Sequence, residues 1–258
     1  PAAAQSVEVK AIEAKNLGTK QKIDPALGYI LISAPGRAMG TFVKSPSDAD
    51  RAEFQEDWDK AFAKAQKRYA GDLKQWDFMR SQKKQAGPKP VEPTPATFSI
   101  GDIERRLTVG YGPMFVFEKA EDDSVSYLMQ VEPGTYTYYG PIMVMPNGAA
   151  AGACFCMGTV AFEVKPGVIT NLGDFLSLGW AGDEAMRLTS AMPPPPGRTP
   201  VPASYPVPAA LANYTVTPAD WRAAGKLNNF FGIGVSRMPP VEGVLAYERD
   251  KVIDLRAP

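Results

Sequence analysis

Apolar and polar positions along this chain follow two periods. From Pro133 to Trp180 they alternate as in pleated strands, and between Ser47 and Gln85 they step as on a helix. Thr135-Tyr136-Thr137-Tyr138-Tyr139 suits a half-buried pleated surface and predicts a strand. Cys154 to Val164 predicts a second, with Cys154, Cys156, Val160, Phe162 and Val164 on one face and Phe155, Met157, Thr159, Ala161 and Glu163 on the other. Pro166-Gly167 turns the chain into a third strand, Val168-Ile169-Thr170-Asn171-Leu172, which Gly173-Asp174 closes. Earlier, Val7, Val9 and Ala11 alternate with Glu8, Lys10 and Ile12, and the apolar run Gly28 to Ala34 predicts a strand buried on both faces.

The helical period begins after Ser45-Pro46-Ser47-Asp48-Ala49-Asp50, a run of hydroxyl cap, proline and early acids. Gln85-Ala86-Gly87-Pro88 predicts its end. The prediction is one long helix, or two if Gly71-Asp72 breaks it. Phe54, Trp58, Phe62, Ala65, Tyr69, Leu73 and Trp76 form a single apolar stripe, with acids on its flanks toward the start and bases toward the end. About 38 residues at 1.5 Å each span roughly 57 Å, more than a small β domain can cover. The stripe needs a surface: either its own β domain, or a partner helix from a second copy or another subunit. Phe54, Trp58, Phe62, Tyr69, Leu73 and Trp76 are the interaction candidates.

Pro88, Pro90, Pro93 and Pro95 read as a stiff linker back to the β domain. Phe98 to Ile100 and Leu107 to Val109 predict short strands, and Met114 to Lys119 with Val125 to Val131 a hairpin around Glu121-Asp122-Asp123. Thr217 to Gly225 reads as a short capped helix with a glycine stop, and Val244 to Tyr247 with Val252 to Leu255 as a last hairpin. The expected organisation is a β-sandwich of residues 1–45 and 97–258, an inserted helix or helical hairpin at 46–86, a linker at 87–96 and a proline-rich segment at 192–208. The expected class is mainly β, an antiparallel sandwich of immunoglobulin or prealbumin type. The turn-and-strand run Phe162 to Asp174, preceded by Pro133-Gly134-Thr135-Tyr136, resembles uncharacterised exported β-sandwich proteins of Gram-negative, alphaproteobacterial bacteria. The resemblance implies a fold and a location, and no activity.

Composition narrows the chemistry. The 258 residues are 45% hydrophobic and 22% charged, which is ordinary for a folded domain. Lys+Arg and Asp+Glu balance at 28 each, so no global field attracts nucleic acid. Histidine is absent, which removes the commonest general base and metal ligand. Prolines and glycines interrupt the charge-free span between Glu132 and Glu163 before a transmembrane length accumulates. Pro1-Ala2-Ala3-Ala4-Gln5-Ser6 looks like the remnant of a signal-peptide cleavage region and suggests export to the periplasm or cell surface.

No catalytic set stands out. Gly232-Ile233-Gly234 and Gly110-Tyr111-Gly112 lack the third glycine of a dinucleotide fingerprint, and Gly36 to Thr41 lacks the lysine of a phosphate loop. Ser81-Gln82-Lys83-Lys84 sits at a polar helix end, where the serine-enzyme motif it imitates opens a helix. Cys154 and Cys156 read as core thiols, as a disulfide, or as soft ligands for a metal such as Cu(I). Tyr136 with Tyr138, and Tyr127 with Met129, are cross-strand core pairs or a stacking surface for a glycan. Asp174, Glu118 and Glu163 are the acids of a carboxylate hydrolase if two of them face each other. The function expected is a non-enzymatic structural or interaction subunit of a bacterial envelope assembly, without cofactor, partnered through the helix. Ligand binding at the cysteines or tyrosines, and a carboxylate hydrolase, are the alternatives.

Overall fold

Three strands precede the helical region in a computed structural model that describes residues 9–82, 87–144, 149–177 and 204–257. They are β1 (Lys10–Ile12), β2 (Gly28–Ala34) and β3 (Gly40–Lys44). Helix α1 (Asp48–Ser81) and the single turn α2 (Ile103–Arg106) follow. Then come β4 (Thr108–Tyr111), β5 (Glu118–Lys119), β6 (Val125–Val131) and β7 (Gly134–Gly140). Next are β8 (Ile142–Val144), β9 (Ala150–Cys154), β10 (Thr159–Val164) and β11 (Ile169–Asn171). The last are β12 (Val216–Pro218), β13 (Arg222–Ala224), β14 (Gly234–Val235), β15 (Leu245–Glu248) and β16 (Lys251–Asp254). The protein is mainly β, with several antiparallel sheets.

The chain divides into two units. One holds the described residues up to Ser45 and from Leu107 onward; the other is Pro46–Arg106. The boundary therefore falls at Leu107 and not at 97, and Phe98 to Ile100, expected as a strand, is irregular chain in the helical unit.

In the β unit one sheet has the order β1-β6-β2-β11-β12 with β5 beside β6, and a second has the order β13-β10-β7-β3-β4. A single apolar cluster draws on both: Ile30, Ile32, Tyr127 and Met129 from the first, Phe42, Tyr138, Val160 and Phe162 from the second. β2 is buried on both faces, as its continuous apolar run requires. Tyr29 and Leu31 point into a second cluster with Ile12, Leu128 and Leu211. Pairing is not wholly antiparallel, because β11 runs parallel to β2 and to β12.

Several predicted elements change form. The strand expected from Cys154 to Val164 is two, β9 and β10, separated by a turn in which Gly158 N–H reaches Phe155 O at 3.2 Å. The turn resets the alternation, so Phe155 enters the main cluster while both cysteines enter a third with Tyr139 and Ile142. The helix expected at Thr217 to Gly225 is absent: β12 and β13 occupy its ends. Between them Trp221 stacks on Phe175 at 4.3 Å and meets Phe162 edge-on at 5.2 Å. Burying so large a ring stabilises by about 1.5–3 kcal/mol, against which stands about 1–3 kcal/mol for its indole N–H, buried without a partner. β3, which carries Phe42 into the core, was not anticipated. Of Met114 to Lys119 only Glu118–Lys119 is strand, and Met114 and Phe115 are exposed. The hairpin at the C-terminus forms as predicted, turning at Arg249 with φ 55°. The signal-like start, most of the 192–208 segment and the predicted helix stop around residue 85 lie outside the described residues.

Candidate functional site

Helix α1 begins at a capping box. Ser47 Oγ accepts from Asp50 N–H at 3.2 Å, and Asp50 Oδ2 accepts from Ser47 N–H at 2.7 Å. Pro46 thus precedes the cap and does not occupy the first turn. The helix runs unbroken through Gly71 for 34 residues, about 51 Å. Not one of those residues is buried. The six interaction candidates Phe54, Trp58, Phe62, Tyr69, Leu73 and Trp76 are each half-buried, and most of the rest of the helix is exposed.

The stripe is covered in part by the segment that follows it. Trp58 and Phe62 stack at 4.8 Å, and Phe98 meets them at 5.7 and 5.4 Å. Arg106 lies over Phe54 at 4.9 Å and pairs with Asp57 at 2.7 Å. Toward the other end, Trp76 Nε1 donates to Gly87 O at 2.8 Å. The segment from Gly87 to Phe98 therefore returns antiparallel along the helix. The reach fits: Trp76 to Trp58 is roughly 27 Å of helix. Extended chain at ~3.1 Å per residue covers that between Gly87 and Phe98, with a turn to spare. That turn is at Thr94, whose O accepts from Phe98 N–H at 2.9 Å. Pro90 and Pro93, three residues apart as one face of a polyproline helix requires, are the half-buried prolines. The proline run by itself reads equally as a free linker; the Pro90/Pro93 spacing followed by Phe98 is the signal that fits the return.

Cys154 and Cys156 form a disulfide, so neither is a free thiol and neither offers a thiolate to a metal. The reason is the turn after β9, which takes the second cysteine out of the strand and sets the Cα atoms 5.1 Å apart. Among the described residues no group of three metal-ligating side chains converges. The disulfide lies beneath Leu227, Phe230 and Phe231. Tyr139 pins that cover, its hydroxyl accepting from Phe230 N–H at 2.9 Å and donating to Asn228 O at 3.1 Å.

The tyrosine strands present no stacking surface. Tyr127, Tyr136 and Tyr138 are core residues at 0–2% exposure. Tyr111 and Tyr138 share a hydrogen bond inside the core, and burial pushes both phenols well above the usual range. Burial also pushes Tyr247 up to about 12, against the pull of Arg237. Such groups favour folding below their unfolded pKa of 10.0, and that contribution is lost as pH rises past it toward the folded values. Alkaline unfolding is expected to set in above pH 10, with part of the tyrosinate absorbance appearing only together with the loss of circular dichroism. Full tyrosine titration ahead of unfolding would show the phenols to be accessible.

Of the acids, Glu163 stands exposed on β10 with Lys165 at 3.9 Å. Glu118 and Asp174, far apart in the chain, line one cavity of about 710 Å³ together with Asp122. Asp174 Oδ1 accepts from Ser204 N–H at 2.7 Å. Asp122 is held below the usual carboxylate range by bonds from the Ser124 hydroxyl and N–H, which marks it as a turn acceptor and not a proton donor. Their place on one cavity depends on the pairing of β5 with β6 and of β11 with β2, which no local pattern reports.

Comparison with family models, with curated proteins and with solved structures gives no significant match to this chain.

Proposed function

We propose that this protein is a non-enzymatic structural or interaction subunit of a bacterial envelope or cell-surface assembly. In this reading the two sheets form a β-sandwich, and the inserted helical unit docks on a protein partner. The observation that carries it is a 34-residue helix without a single buried residue, whose apolar stripe is left only partly buried. Helices in folded proteins are stabilised chiefly by packing an apolar face, and each Å² removed from water contributes roughly 25 cal/mol. Tyr69 and Leu73 are only partly buried on the stripe, which suits a partner helix laid along it. Export is supported by the pairing of both cysteines, since disulfides persist in oxidising compartments. The resemblance to exported proteins agrees with it. No described helix is long and apolar enough to cross a membrane.

The test uses Tyr69→Ala with Leu73→Ala, which leaves the Trp58, Phe62 and Phe98 contacts in place. The pair is expected to weaken association at least tenfold, as loss of interface anchors does. Light scattering of the pure protein and recovery of partners from the native envelope provide the readout. Far-UV circular dichroism should stay unchanged. A wild-type chain that remains monomeric at high concentration and recovers no partner would sink the proposal.

A further inference from the structure

Helix α1 carries charges in a pattern that a second copy of the same helix completes. Asp48 and Arg51 extend the apolar stripe ahead of Phe54 in steps of three, and Asp77 and Arg80 extend it beyond Leu73 and Trp76 in steps of four. All four are exposed. Elsewhere on the helix, ion pairs close within the unit: Lys60 with Glu56, Arg68 with Asp72, and Arg106 with Asp57. Asp48, Arg51 and Asp77 have no ion-pair partner among the described residues, and Arg80 lies over Trp76 at 4.9 Å.

Arg51 and Asp77 stand 13 residues to either side of Lys64, and Asp48 and Arg80 stand 16 to either side. Two copies of the helix laid antiparallel, with Lys64 level in both, therefore bring Arg51 to Asp77 and Asp48 to Arg80 in a single register, each pair occurring twice across the two-fold axis. A parallel pairing sets each of these residues against its own like charge. The antiparallel register also suits the apolar positions. Phe54 comes level with Lys74, between Leu73 and Trp76 of the other copy; Trp58 comes level with Ala70, beside Tyr69; Phe62 comes level with Gln66, beside the small Ala65. One flank of the stripe has room for the second helix. Asp57, Ala61 and Met79, on the flank where Arg106 binds, are partly buried, whereas Gln55, Asp59 and Gln66 on the other flank are exposed.

We propose that the partner of α1 is α1 of a second copy of this chain, antiparallel to it about a two-fold axis near Lys64. The proposal rests on the reading of the helix as a docking element and names what it docks on. The apolar positions supply the attraction, and the charges at the two ends set direction and register. Sedimentation equilibrium of the full chain tests it. Wild type is expected to form dimers. Arg51→Asp and Asp77→Arg, each of which creates two like-charge contacts across the axis, should weaken the dimer about tenfold, and the two changes combined should restore it to within about threefold of wild type. Far-UV circular dichroism checks that the helix persists, and Arg80→Asp with Asp48→Arg is a second swap should the first disturb it. Under mild oxidation Ala65→Cys should cross-link two copies, its own counterpart lying about 3 Å away along the axis. Gln55→Cys should not, because its counterpart lies roughly 27 Å along the axis. Singles without effect, a double variant no tighter than the singles, or cross-linking at Gln55→Cys in place of Ala65→Cys overturns the antiparallel pair. A monomeric chain that still recovers an envelope partner through Tyr69 and Leu73 overturns the pairing alone and leaves the docking reading standing; a monomer that recovers none overturns both.

Discussion

Phe162→Ala is expected to destabilise the β unit by about 3–5 kcal/mol, a large share of the 5–15 kcal/mol that holds a typical domain. Phe162 is 2% exposed on β10, which lies inside its sheet between β13 and β7. Its ring meets Phe42 edge-on at 5.6 Å, lies beside Tyr136 at 6.2 Å and receives Trp221 at 5.2 Å. These neighbours are tied to three different strands or connections, so they cannot close the space that the ring vacates, and a persisting cavity sets the cost near the upper end. Urea unfolding should show a lower midpoint with an unchanged slope. Phe162→Leu, which keeps most of the volume, should lose less than about 1.5 kcal/mol. A loss below ~1 kcal/mol for alanine would mean that the ring is not part of a rigid core.

Gly140→Ala is expected to be nearly as damaging, about 2–5 kcal/mol, although it adds only a methyl group. Gly140 ends β7 at φ 142°, a conformation that residues with a Cβ rarely adopt. A Cβ there would lie 2.3 Å from Ala153 O and 3.3 Å from Cys154 Cα, against the backbone of the disulfide corner. Backbone cannot rotate away as a side chain can, so either the β7 end or the corner must shift. Gly71→Ala is the control: nothing lies within 4 Å, and in mid-helix the change should stabilise by up to about 1 kcal/mol. The two variants compared by thermal unfolding should move in opposite directions. Equal, small effects would contradict the close approach at Gly140.

Where the fold was legible, a local signal and a tertiary need agreed. The capping run at Ser47, the doubly buried strand at Gly28 to Ala34 and the hairpin at the C-terminus each combine turn or cap chemistry with the right period. Where it was not, a local signal was outweighed. Thr217 to Gly225 carries a helix cap and a glycine stop, yet the chain there is extended and sets Trp221 against Phe175 and Phe162. The alternation through Cys154 to Val164 was sound on each side of Gly158, where the chain turns at φ 148°. For the candidate sites, the helix stripe could be read residue by residue, whereas the cavity at Glu118 and Asp174 could not.

The amino-acid sequence by itself determined that this is a mainly β protein with a helical stretch that starts at Ser47, because period, caps and turn residues act over a few neighbours and need no partner to be read. Only the tertiary structure decided what those surfaces meet. The return of Pro90, Pro93 and Phe98 along the helix, the closure of Cys154 on Cys156, the withdrawal of the tyrosines into the core and the cavity at Glu118 and Asp174 all depend on strand register and on contacts between residues distant in the chain. Those contacts are selected by burial and close packing over the whole unit, a criterion that no single stretch of sequence carries.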